Sequence, residues 1–247
     1  SLNSNRSPHH LDRNPWFNCT VGDLMVKFPI STELLIFDLE AYVPKDDRKR
    51  KTGPSLAVNP FKEGHTLLGG VFHLSRPRLG EVLSKPDFEH HWVWDEGDEA
   101  EVISSIYQIF SGMRKRAALK KQHHADPVVS GVGISMFDMP CILSKCLTYE
   151  VDSADEIYET ICKCRVVDMA VAGIGFIPSN SPILYPRTHN ALADLFMPER
   201  DKKPTGKVVW EMADEKDYKG ISERCEREVC EMVTLAKRML EKSQVAE

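Results

Sequence analysis

Long apolar runs are missing from this 247-residue chain. None approaches the roughly 20 residues that a helix needs to cross a bilayer, so no membrane partner is expected. The opening residues, Ser1-Leu-Asn-Ser-Asn-Arg6, hold no apolar segment of the kind that directs secretion. Paired C-x-x-C spacings are missing too, which argues against a zinc framework. The seven cysteines are odd in number and irregularly placed. Cys141/Cys146, Cys162/Cys164 and Cys225/Cys230 therefore read as reduced core thiols in a cytoplasmic setting. Positive charge is not in excess, and a formal net charge of −5 argues against a dedicated nucleic-acid coat. Lys202-Lys-Pro-Thr-Gly-Lys207 lacks the G-x-x-x-x-G-K-[ST] pattern, which rejects a nucleoside-triphosphate loop.

What is present suits one large α/β domain. A hydrophobic fraction of 42% and a charged fraction of 28% are ordinary for a globular protein, and the length allows a full core. Residues 1–30 read as an N-terminal extension whose Asn, Ser, His and Pro content offers little to bury, with 26–30 as a short pairing segment. Residues 31–247 read as the domain itself. Positive charge concentrates at 45–51 and 113–121, the second followed by His123-His124. Contact with a phosphate backbone and plain solvation both account for these segments.

The clearest element is Glu33-Leu-Leu-Ile-Phe-Asp-Leu-Glu-Ala-Tyr42. Its apolar run is too short for a helix and is bounded by polar residues, so it predicts a strand. Leu34 and Ile36 point to one face, and Leu35, Phe37 and Leu39 to the other. Both faces are apolar, as in a central strand covered on each side. Asp38 and Glu40 follow at the carboxyl end, on the face of Ile36. Two like charges at the edge of a core repel each other and lose water unless a cation holds them. Mg²⁺ or Mn²⁺ takes oxygen ligands of this kind. The alternative is a strand running out into a solvated turn with two surface acids.

Further along, 44–54 reads as an exposed charged turn, and 55–59 and 66–75 as two strands completing a three-stranded antiparallel meander. Residues 89–94 form a further short strand. A helix over 98–119 has acids in its first turn, bases in its last, and a buried stripe of Val102, Ile106, Ile109 and Met113. Then come a buried strand at 127–134, a helix at 139–148, a helix at 153–162 and an extended segment at 165–169. Asp168 is read as a cap or hydrogen-bond anchor. Residues 172–186 are loop-like, and 187–196 form a helix with Thr188 as N-cap. In the last helix, 219–242, Ile221, Cys225, Met232, Leu235 and Met239 form one stripe that Glu228 completes. A carboxylate in such a stripe is paired, protonated or bound to metal, and Arg224 four residues earlier is the available partner.

These features occur in an order that resembles the DnaQ-like, or DEDD, 3′–5′ exonuclease superfamily. The likeness is closest to the stand-alone exonucleases related to the proofreading domain of family B DNA polymerases. The first motif is Ile36-Phe-Asp38-Leu-Glu40, and the second family motif, Asn-x-x-x-Phe-Asp-Leu-Pro, is matched by Gly133-Ile-Ser-Met-Phe-Asp138-Met-Pro140. The third, Tyr-Cys-x-x-Asp-Val, is matched by Arg224-Cys-Glu-Arg-Glu228-Val229, with arginine for tyrosine and glutamate for aspartate. Segments 153–168, 189–195 and 205–212 also fall where the family has comparable ones.

The resemblance implies a ribonuclease H-like three-layer α/β fold, a mixed central sheet flanked by helices. It implies metal-binding and catalytic roles for Asp38, Glu40, Asp138 and Glu228, and nucleic-acid contacts at Leu39, Phe137 and Arg224. Two ions, Mg²⁺ or Mn²⁺, are implied about 4 Å apart. Asp38 would bridge them, Glu40 and Glu228 would complete one, and Asp138 would reach the other through water. The implied partner is the 3′ end of single-stranded DNA or RNA, with replication or repair proteins. The departures at Arg224 and Glu228 motivate a second expectation, a catalytically impaired member that binds nucleic acid or protein. A third is an endonuclease of ribonuclease H type, for which a blocked 3′ end is no obstacle.

Overall fold

The computed structural model describes residues 33–48, 58–75, 87–119, 126–176, 185–200 and 206–244. Five strands form one mixed sheet: β1 (Leu34–Tyr42), β2 (Thr66–Ser75), β3 (Glu89–Trp92), β4 (Val128–Gly131) and β5 (Arg165–Asp168). Their order is β3-β2-β1-β4-β5, which puts β1 at the centre. β1 runs antiparallel to β2 and parallel to β4, β3 antiparallel to β2, and β5 parallel to β4.

A short helix, α1 (Val93–Glu96), precedes the long α2 (Glu99–Leu119). Next come α3 (Asp138–Thr148), α4 (Ala154–Ile157) and α5 (Met169–Ala172), then α6 (His189–Phe196), α7 (Val208–Asp214) and α8 (Tyr218–Gln244). The alternation read in β1 sorts the helices into two layers. Leu35, Phe37 and Leu39 enter a core with α2, α3 and the π-helical turn Tyr158–Cys162. Ile36 enters the opposite core with residues of α6, α7 and α8. Phe37 stacks on Phe72 at 5.5 Å and meets Phe110 edge-on at 6.0 Å. Burying each such ring contributes roughly 1.5–3 kcal/mol.

Several expectations need correction. Among the described residues, the strand that completes the antiparallel meander is β3, and the expected strand at 55–59 lies largely outside them. Of that segment, Val58 and Asn59 are described and are not strand. The segment read as a loop at 172–186 begins with the end of α5 and a 3₁₀ turn, Gly173–Gly175. α7, read only as a region of family likeness, is a helix, and Trp210 Nε1 on it donates to Ala41 O at 3.0 Å. The expected extension at 1–30, with its segment 26–30, lies outside the described residues.

β2 follows β1 closely, with a bulge between Glu40 and Ala41. Gly69, opposite Glu40, has φ +136°, and a Cβ there would stand 1.9 Å from His91 O. Only glycine fits this conformation and this approach. This close approach to β3 lies opposite Glu40, beside the bulge at the end of β1.

Candidate functional site

β1 carries Asp38 and Glu40 out on the α8 face of the sheet. α8 lies over that end, and the Cys225 Sγ there approaches Asp38 O at 3.5 Å and its Oδ2 at 3.7 Å. Ligand atoms of Asp38, Glu40 and Cys225 all lie within 4.8 Å of one another. Asp138 joins from a different part of the chain. It opens α3, where a helix N-terminus favours negative charge, and its Oδ1 accepts the Leu39 N–H at 3.1 Å. Glu228 completes the group from α8.

The buried stripe of α8 differs by one residue from the sequence reading. Val229, fully buried, stands between Cys225 and Met232, because spacings of four and three keep those residues on one face. Glu228 is therefore at the rim of the stripe, half-buried. Its ion pair with Arg224 forms, Nη2 to Oε1 at 2.6 Å. The other end of the same guanidinium reaches Glu40 Oε1, also at 2.6 Å. Arg224 thus bridges two acids from two elements, and its side chain is only 12% exposed.

Burial, reinforced by neighbouring negative charge, raises the proton affinity of Asp38, Glu40 and Asp138. Enclosure by protein, then repulsion from Glu228, Glu40 and Asp138, pushes Asp38 well above the ordinary carboxylate range against the pull of Arg224. Enclosure likewise lifts Glu40 to about 8, although Arg224 works against it. Asp138 is raised to about 7 by burial, with backbone hydrogen bonds resisting. Burial disfavours the Arg224 charge, but Glu40, Glu228 and Asp38 outweigh it and hold its pKa up. Burial followed by the same acids keeps Cys225 a thiol, so it is a donor toward Asp38. Acids this enclosed call for positive charge. Asp38 has none paired to it among the described residues, while Glu40 and Glu228 share Arg224. Among the described residues, Asp38, Glu40 and Cys225 form a donor set that could hold a metal ion, and Arg224 lies between Glu40 and Glu228.

How the second motif is held has no sign in the sequence. Asp168, read as a cap or anchor, is both. It caps α5 by accepting from Ala170 N at 2.8 Å. It also accepts from Gly133 N at 2.9 Å, Ser135 N at 3.1 Å and Ser135 Oγ at 2.5 Å. The loop from β4 into Asp138 is thus tied to the end of β5, and Gly133 takes φ +82° within it. No spacing in the sequence signals these partners, which are 33 and 35 residues apart.

Other singled-out residues fall as follows. The Leu39 side chain lies in the core, 5% exposed, and Phe137 packs half-buried against the same core. Met136 beside it is 70% exposed. Much of the basic charge is neutralised locally. Arg48 and Lys45 pair with Asp214, Arg114 with Glu156 and Glu159, and Arg116 grips Glu33 through Nε and Nη2. Residues 49–51, 120, 121, 123 and 124 lie outside the described set. Compared with known proteins, the chain matches no family model and no curated protein.

Proposed function

We propose that the chain is a divalent-metal-dependent 3′–5′ exonuclease of the DnaQ-like kind, acting on single-stranded ends of DNA or RNA. The observation that carries this reading is the convergence of Asp38, Glu40, Asp138 and Glu228 at the end of the central strand. Burial, with repulsion among neighbouring acids added to it, raises three of them, an arrangement that a bound divalent ion at Asp38 would relieve. The mixed sheet between two helical layers is compatible with the ribonuclease H-like fold that the resemblance implies. When bound, divalent ions supply a water of lowered pKa and stabilise the leaving oxygen of a phosphodiester. The chain itself fixes the geometry: Leu39 N–H orients Asp138, Cys225 orients Asp38, and Asp168 holds the loop before Asp138. Met136, exposed on that loop, offers an apolar surface to a terminal nucleotide.

One observation favours a second reading, a catalytically impaired module that binds nucleic acid or protein. Arg224 already engages Glu40 and Glu228. Incubating 5′-labelled single-stranded DNA and RNA with Mn²⁺ or Mg²⁺, beside Asp38→Ala, separates the two. A ladder shortening from the 3′ end, abolished by EDTA and by the substitution, is the expected result. Equal inertness of both proteins, with oligonucleotide binding retained, rejects the exonuclease and leaves the binding module. Cleavage within a strand whose 3′ end is blocked identifies an endonuclease instead.

A further inference from the structure

The cluster holds four acids and one cation, and the cation is part of the chain. Arg224 Nη1 lies 2.6 Å from Glu40 and Nη2 lies 2.6 Å from Glu228. The three side chains are 12%, 10% and 15% exposed, so water does little to weaken the pairing. Both distances are at the short end for charge-assisted bonds. The Arg224 Nε is buried without a hydrogen-bond partner, so the guanidinium is placed by its two carboxylates alone. A planar fork spans two acids on separate elements, which a point charge cannot do. The bridge also ties α8 to β1 at the point where the acids would otherwise push them apart.

Resting on the metal-dependent reading above, we infer that Arg224 is a built-in counter-ion that competes with a divalent ion for Glu40 and Glu228. The unaltered chain therefore takes an ion at Asp38 and resists a second. Glu40 Oε1 and Glu228 Oε1 already meet the guanidinium, and a divalent ion bound to the same carboxylates is repelled by it at contact distances. Removing the guanidinium frees both acids. It also leaves them buried beside each other without a counter-charge, so the metal-free protein loses stability that an added ion restores.

Mn²⁺ binding to full-length protein, counted by electron paramagnetic resonance and isothermal calorimetry, tests this on the parent and Arg224→Gln. Metal-free and Mn²⁺-loaded melting temperatures are read alongside. The expected result is one additional ion per chain for Arg224→Gln, or the same site filled at least about tenfold more tightly. Its melting temperature falls without metal and recovers with Mn²⁺ by more than the parent's rises. Equal stoichiometry and affinity in both proteins overturns the competition while leaving the metal-dependent reading intact. No Mn²⁺ binding by either protein overturns both. If Arg224→Gln does not fold, Arg224→Lys carries the test. Lysine keeps the charge but cannot span both acids, so Mn²⁺ binding tighter than the parent's supports the inference and unchanged binding refutes it.

Discussion

Replacing Asp38 by Asn should stabilise the metal-free protein while destroying its site. The substitution keeps the shape of the side chain and removes one charge from a cluster whose ligand atoms lie within 4.8 Å of one another. At that separation and an effective dielectric of about 20, one pair of like charges costs about 3 kcal/mol. For a chain of this length that is roughly 6–12 °C in melting temperature. The pH dependence follows from the raised acids. Glu40 at about 8, Asp138 at about 7 and Asp38 well above its usual range keep protons in the fold that the unfolded chain has released. Their stabilising contribution is full below about pH 4 and is lost as pH rises through about 7–8. Asp38→Asn removes one member of this set, so its advantage vanishes near pH 4 and grows as pH rises above the ordinary carboxylate range. Thermal unfolding in EDTA from about pH 4 to about pH 9 measures the difference. A variant no more stable than the parent at about pH 8 would show that the acids do not strain the fold.

Two further substitutions address the scaffold. Asp168→Ala removes the acceptor for Gly133, Ser135 and Ala170, and costs about 3 kcal/mol by chemical denaturation. Faster hydrogen exchange at the Gly133 and Ser135 amides should accompany it, and unchanged exchange there would contradict the anchoring role. Lys145→Met leaves Glu99 buried without its cation, since the Lys145–Glu99 pair is 7% and 10% exposed at 2.9 Å. Tyr149 and the Leu67 amide also bind Glu99, so a loss of about 3–5 kcal/mol is expected. A loss below 1 kcal/mol would mean that solvent reaches the pair.

Elements set by local pattern were legible in the sequence. The two apolar faces of β1, the buried stripe of α2 and the Thr188 cap each depend on residues within a few positions of one another. The Arg224–Glu228 pair was legible for the same reason, because one helical turn brings the two together. Asp38 and Glu40 stood out as acids that share a face with Ile36, and the strand period alone places them there.

What tertiary structure decided depends on pairings that no local period encodes. Which segment pairs the outer edge of β2 is set by the assembled sheet, and that segment is 89–92. Asp138 meets the Leu39 amide across 99 residues, and Arg224 meets Glu40 across 184. The one-residue difference between Glu228 and Val229 was decided by which side of α8 packs on the sheet, since both positions fit a helical stripe. Local pattern placed Asp38 and Glu40 on one strand face and Glu228 on the last helix, and the resemblance implied that they share a site with Asp138. Packing brings Arg224 to Glu40, because that contact joins α8 to β1 across the sheet, far beyond any local period.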